Sequence, residues 1–184
     1  MNKKTISNLR IVLTAGAATL APLALAACGD DADAAGLDDG VLTVDLSDFS
    51  FGDLPDEVPA GTRLAVENGS QSELHELVAM RLPDDEHRSA AEIVHGNLEE
   101  MFASGELAPA TVLLAAPDGE QIAAVGDGTL EEPGRYLILC AIPTGADPAE
   151  YLAAAQGSDG PPQVEGGAPH FTHGMFDEIT VTAG

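Results

Sequence analysis

Five residues carry side chains that bind soft or borderline metal ions and stand where a fold can gather them. His75 heads the run HELVAMRL, Cys140 ends GRYLILC, and His170, His173 and Met175 follow in PHFTHGMF. Thiolate, imidazole and thioether together form the donor set that suits copper. Two imidazoles and a thiolate in a trigonal plane, with a weak axial thioether, make a site for passing single electrons. Each residue alone has a plainer reading: His75 as a strand-end histidine, Met175 as core filler, His170 as a loop residue after a proline, and Cys140 as a small buried hydrophobe. The set is informative because all the types occur together around one unpaired thiol.

The thiol is unpaired because of how the chain begins. Lys3, Lys4 and Arg10 precede the apolar run IVLTAGAATLAPLALA, and Leu25-Ala26-Ala27-Cys28 closes the segment. These are the three parts of a secretory signal, too short and too poorly flanked for a membrane-spanning helix. The closing tetrapeptide resembles the lipobox of bacterial lipoproteins, which implies that residues 1–27 are a signal peptide and that Cys28 is the lipidated first residue of the mature chain. Such a protein is expected outside the cytoplasm, held to the membrane by acyl chains alone. With Cys28 lipidated, Cys140 has no partner for a disulfide in a compartment that would permit one.

Charge narrows the partners. The formal net charge of −24 becomes −27 once the signal and its three cations are removed, and no lysine then remains. A surface so acidic repels nucleic acid and anionic lipid and favours basic partners through salt-dependent steering. The plainer alternative is that the acidity keeps an exported protein soluble.

The elements that must position the donors follow in order. Residues 28–40, small and acidic without periodicity, read as a flexible tether, and a single domain is expected over 41–184. VLTVDLS, FSFG and TRLAVEN read as strands, with turn signals at Pro59, Gly61 and Asn68-Gly69-Ser70. In HELVAMRL, His75, Leu77, Ala79 and Arg81 share one face and Val78, Met80 and Leu82 the other, so His75 stands at the mouth of a strand. SAAEIVHGNLEEMFASGE has helical spacing at Ile93, Leu98, Met101 and Phe102, with Ser89 as cap, and predicts one helix of about four turns. His87 and His95 lie around it as ordinary surface histidines. TVLLAAP and QIAAVG flank Pro117-Asp118-Gly119 as a hairpin. GRYLILC reads as a buried strand, DPAEYLAAAQ as a short helix and FDEITVTA as the last strand. The sum is an all-β Greek-key sandwich or barrel, with one inserted helix and a long loop between the last two strands.

The order of donors, a His on an early strand, then Cys, His and Met around the loop joining the last two strands, resembles the cupredoxins, the blue-copper proteins of plastocyanin and azurin type. Tyr136, Cys140, Pro143 and Gly145 are similar to that family's aromatic, cysteine and Pro-Gly motif. His170 and Met175, with Gly174 between, are similar to its His-x4-Met ending. The resemblance covers most of residues 41–184 and is weakest over 83–110. It implies a copper cofactor held by His75, Cys140 and His170 in the plane and Met175 on the axis, with His173 as the rival for His170.

Two departures stand out. Residues 141–169, 29 in all, separate Cys140 from His170 where the family has few. Closure entropy for so long a loop is small, about 0.6 kcal/mol per doubling; the expected casualty is rigidity. Glu76 also replaces the Asn that commonly follows the first histidine and ties the ligand loops together.

By this resemblance the expected function is a lipid-anchored, extracytoplasmic type 1 copper protein that carries single electrons and is not an enzyme. It implies a monomer whose partner is a basic, cytochrome-like redox protein landing on an apolar patch of Phe171, Pro169 and Pro143. No His-x-His pair is present to hold the additional coppers of multicopper oxidases. The alternatives are a Cu(I)-handling chaperone or reservoir, using His173, Met175 and His170, and a metal-free binding module of the same fold.

Overall fold

In a computed structural model of the protein, residues 36–52, 54–156 and 160–184 are described. The signal segment, Cys28 and most of the tether lie outside the described residues. No helix among the described residues is long and apolar enough to cross a membrane.

Alternation of apolar and polar residues builds two sheets. The first contains β1 (Val41–Ser47), β2 (Ser50–Gly52), β4 (Thr62–Asn68) and β8 (Thr129–Leu130), in the order β2-β1-β4-β8. The second contains β3 (Glu57–Pro59), β5 (His75–Arg81), β6 (Pro109–Ala115), β7 (Ile122–Val125), β9 (Gly134–Leu139) and β10 (Phe176–Thr182), in the order β3-β10-β9-β5-β6-β7. Strand β1 runs parallel to β4, and β3 parallel to β10. The remaining pairings are antiparallel.

The inward faces meet in one core. Leu42, Val44 and Leu46 of β1 and Leu64 and Val66 of β4 pack with Leu77 and Ala79 of β5, Tyr136 and Ile138 of β9, and Ile179 and Val181 of β10. Period-two alternation sends the intervening residues outward. Val78, Met80, Leu137 and Leu139 therefore line a second apolar layer on the far face of the larger sheet, covered by Ile93, Leu98 and Met101. The face assignment expected for HELVAMRL is the one observed.

The covering element differs from expectation. Residues 89–104 form two short helices, α1 (Ala90–Gly96) and α2 (Leu98–Ser104), hinged at Asn97 with φ −138° and ψ 23°. Gly96 and Asn97 are poor helix formers, and the Asn97 carboxamide oxygen accepts from Arg88 Nη1 at 2.6 Å instead of serving the helix. Ser89 caps α1 as predicted, in a reciprocal capping box with Glu92. The pair covers the outer face of the larger sheet.

A third helix, α3 (Pro148–Ala155), rises from the long loop, capped by Asp147 with Pro148 in its first turn. Strands β3 and β8 were not foreseen: they are three and two residues long, too short for periodicity to show. The result is a mainly β sandwich of two sheets with three short helices, the architecture expected.

Candidate metal centre

Three segments bring the donors together. His75 opens β5, Cys140 follows β9 directly, and His170 begins a single 3-10 turn over His170–His173 that leads into β10. Because β9 lies between β5 and β10 in the larger sheet, their ends deliver all three side chains to one place. All three residues are fully buried at 0 % exposure.

The geometry is that of a closed triangle. The His170 and His75 Nδ1 atoms stand 3.1 Å apart, the Cys140 sulfur lies 3.3 Å from His170 Nδ1, and the three donor atoms all lie within 4.8 Å of one another. A first-row ion with bonds of about 2.0 Å to nitrogen and 2.3 Å to thiolate sulfur fits between atoms so spaced.

The outer edge of each imidazole faces a carboxylate. His75 Nε2 lies 3.5 Å from Asp48 and His170 Nε2 lies 3.4 Å from Glu73, and neither nitrogen has another partner among the described residues. These separations are long for hydrogen bonds, yet both carboxylates favour a proton on Nε2. Both Nδ1 lone pairs then point inward at each other and at the sulfur, an arrangement that calls for a cation between them. Carboxylate behind histidine behind metal is a recurrent way of fixing ring orientation and tautomer.

Burial also sets the protonation states. Desolvation, with the neighbouring His170 ring second, holds His75 below the usual histidine range, and desolvation does the same to His170 against the pull of Glu73. Both rings are thereby kept neutral and able to ligate. Desolvation pushes the Cys140 thiol far up, and the charge of Glu76 adds to this. A metal that binds there must displace the thiol proton.

Met175 is fully buried in the same core cluster as Cys140. Its carbonyl accepts from the Cys140 N–H at 3.1 Å, and its own N–H donates to the His170 carbonyl at 3.2 Å. His173 takes another course: it is exposed on the same turn, its ring packs against Phe49 at 4.9 Å, and it is not among the clustered donors. His95 stands apart as well, packed edge-on to Phe176 at 5.6 Å.

The long loop is pinched shut at its base. Going outward from the donors, the Phe171 N–H donates to the Cys140 carbonyl at 2.9 Å, His170 N–H to Ile142 at 3.0 Å, Thr144 N–H to Ala168 at 3.1 Å and Gly167 N–H to Thr144 at 2.8 Å. Pro143 and Pro169 form the bridge between them. Residues 140–144 and 167–171 are thus a short neck, and the rigidity expected to suffer from 29 intervening residues is supplied where it matters. Gly166 permits the closure, since a Cβ there would lie 2.5 Å from Pro143 Cβ.

Glu76 performs the tying role expected of an Asn. Its Oε1 accepts the Ala141 N–H at 3.0 Å, Tyr151 of α3 reaches Oε2 at 3.4 Å, and its backbone N–H points at the Cys140 sulfur at 3.5 Å. Desolvation raises this carboxyl to about 7, against the opposing bonds from Ala141 and Tyr151. The loop thus supplies a donor to the residue that departs from the family pattern.

Asp48, Phe49, Glu73 and Tyr151 were not foreseen as site neighbours. Phe49, with a left-handed φ of 64° at the tip of the β1–β2 hairpin, stands edge-on over the His170 ring at 5.3 Å. Nothing in the alternating runs on either side marks that turn as part of a site. Phe171 is half-buried, as Pro143 and Pro169 are, and its inner side packs against the outer apolar layer.

No protein-family model matches the chain, and no curated protein matches it in sequence. Among solved structures it is similar to reduced auracyanin from the photosynthetic bacterium Roseiflexus castenholzii, with 20 % identity and a TM-score of 0.42, over 78 % of this chain and 97 % of that one. It is also similar to auracyanin A, a blue copper protein of Chloroflexus aurantiacus, with 16 % identity and a TM-score of 0.37, over 77 % and 99 %. Auracyanin B shows 15 % identity and a TM-score of 0.33, over 77 % and 88 %. The chain's own donors bear on the metal: two neutral imidazoles and a buried thiol, meeting within 4.8 Å, fit copper.

Proposed function

We propose that the protein is a type 1 copper electron carrier, tethered outside the cytoplasm by lipid on Cys28. The observation that carries this reading is the closed triangle of His75 Nδ1, His170 Nδ1 and the Cys140 sulfur, with each imidazole backed by a carboxylate. Copper bound there supplies a one-electron couple, in which thiolate favours Cu(I) and imidazole accommodates Cu(II).

The chain's part is to hold three donors still and dry. Sheet ends fix Cys140 and His75, the neck fixes His170, and 0 % exposure of all three excludes water as an added ligand. A site that does not rearrange suits electron transfer, and one without an open position does not suit substrate chemistry, so the reading is a carrier and not an enzyme. An apolar cavity of about 450 Å³ on the outer face of the larger sheet reaches this region only through Glu76 and Tyr151; none of the three donors lines it.

A monomer and a basic redox partner accord with the formal charge of −24. The exposed end of the site would be approached over half-buried Phe49, Pro143 and Pro169 beside exposed His173.

Copper(II) titrated into the protein tests the reading. The expected outcome is an intense visible thiolate-to-copper absorption at one equivalent, absent in Cys140→Ser. Tight Cu(I) binding without that absorption would instead mark a chaperone or reservoir, and binding of neither ion a metal-free module.

A further inference from the structure

The two carboxylates behind the imidazoles are not equivalent. Asp48 is 58 % exposed, lies 3.5 Å from His75 Nε2 and hydrogen-bonds Ser70, and no contact ties it to the long loop among the described residues. Glu73 is 18 % exposed, and its Oε2 does two things at once. It accepts the Gly145 N–H at 2.9 Å and stands 3.4 Å from His170 Nε2. Gly145 opens the excursion just beyond the neck, and His170 closes it, so one oxygen reaches both strands of the loop.

Glu73 is itself held. Its N–H donates to Ser70 Oγ at 3.0 Å, and its carbonyl accepts from Asn68 Nδ2 at 2.9 Å. The same Asn68 nitrogen bonds the Ala115 carbonyl at 2.7 Å, which anchors the segment to the end of β6. A carboxylate on so fixed a backbone is a reference point, not a mobile surface charge. His170 Nε2 has no alternative hydrogen-bond partner among the described residues.

We infer that Glu73 is the positioning residue for His170: its carboxylate holds the ring's proton on Nε2, turns Nδ1 toward the Cys140 sulfur, and clasps the root of the long loop. This rests on the copper reading only for its consequence, which is that Glu73 raises Cu(II) affinity and lowers the reduction potential. A negative charge fixed behind a ligand stabilises the more highly charged ion.

The test has one arm that needs no metal. In the metal-free full chain with nitrogen-15 in its histidines, two-bond proton–nitrogen correlations report which ring nitrogen is protonated. His170 is expected to carry its proton on Nε2. In Glu73→Gln the oxygen that serves both Gly145 and His170 loses its negative charge, and with it the pull that keeps the proton on Nε2, so His170 is expected to lose that fixed tautomer. In the second arm, Cu(II) affinity of Glu73→Gln is expected to fall about 10–100-fold with the thiolate absorption retained. Cu(I) affinity should change less, and each tenfold difference between the two ions raises the potential by about 59 mV.

A wild-type His170 protonated on Nδ1 would overturn the inference without any variant, so a Gln variant that fails to fold does not shelter it. A folded Gln variant with the same tautomer and a Cu(II) affinity within about twofold of wild type would overturn it as well. If the wild type holds His170 on Nε2, loses this in Glu73→Gln and yet takes up no copper, the clasp stands and the copper reading fails.

Discussion

The neck that closes the long loop makes a measurable demand on one position. In Gly166→Ala the added Cβ would stand 2.5 Å from Pro143 Cβ and 3.2 Å from the Thr144 carbonyl oxygen. Carbon atoms pack at about 3.5–4.0 Å, so the two chains must part by more than an ångström. Pro143 cannot swing aside, because its Cβ belongs to a ring and its backbone bridges Pro169. The separation falls on the bonds beside it: Thr144 N–H to Ala168, Gly167 N–H to Thr144, and Thr144 Oγ1 to Ala168 at 2.8 Å. Loss of two such bonds at about 1 kcal/mol net each gives about 2 kcal/mol, which agrees with the ~1–3 kcal/mol cost of overpacking. Urea unfolding of the metal-free protein reads this as a midpoint lower by about 1 M for a slope near 2 kcal/mol/M. Gly145→Ala is the control: nothing lies within 4 Å of its Cβ, and only its left-handed φ of +71° is strained, at about 1 kcal/mol. A Gly166→Ala protein no less stable than wild type, or no less stable than Gly145→Ala, would show that the neck is not closed as described.

Two further outcomes follow from buried ionisable groups. The Glu76 carboxyl sits at about 7 in the folded chain against an ordinary 4.5, so between those values the folded protein holds a proton that the unfolded one releases. Stability of the metal-free protein should therefore fall as pH rises through that window, by about 3 kcal/mol. Urea midpoints at pH 4.5 and 8 should show the fall in wild type and a flattened profile in Glu76→Gln; equal slopes would refute the assignment. For Cys140, whose thiol burial pushes far above its ordinary value, copper uptake at neutral pH should release one proton, and affinity should rise about tenfold per pH unit. Uptake without proton release in an unbuffered titration would mean that the sulfur is not a ligand.

How much of this could be read from the chain depended on distance along it. The meeting of His75, Cys140 and His170 was legible in part: HELVAMRL and GRYLILC read as strands that begin and end on a donor, whereas His170 stood in a loop and was preferred to His173 only on the spacing of the cupredoxin resemblance. The cap at Ser89 and the hairpin at Asp118 were legible because each is a local pattern with a local cause. The break at Asn97 was missed because Ile93, Leu98 and Met101 keep nearly helical spacing across it, and packing of those three against β5 and β9 tolerates the hinge. Strand β3 was missed because Pro59 sits in it, which an edge strand permits.

The neck was beyond reach for a different reason. Cys140 to Thr144 and Gly167 to Phe171 contain Pro143, Pro169 and Gly167, which read as punctuation, and their pairing is visible only once both are placed beside the sheet. This changes what the 29-residue separation means. A loop that closed only through a metal would charge its ordering entropy to metal binding, and the site would weaken as the loop lengthened. Here four backbone bonds and the Glu73 carboxylate close it first, so the ordering is charged to folding and the donors wait in place. Glu76 and Tyr151 complete the argument, because the excursion returns a side chain to the interior beside the thiol. Shortening the loop would remove that contact, and the loop is in this sense part of the centre and not an ornament on it.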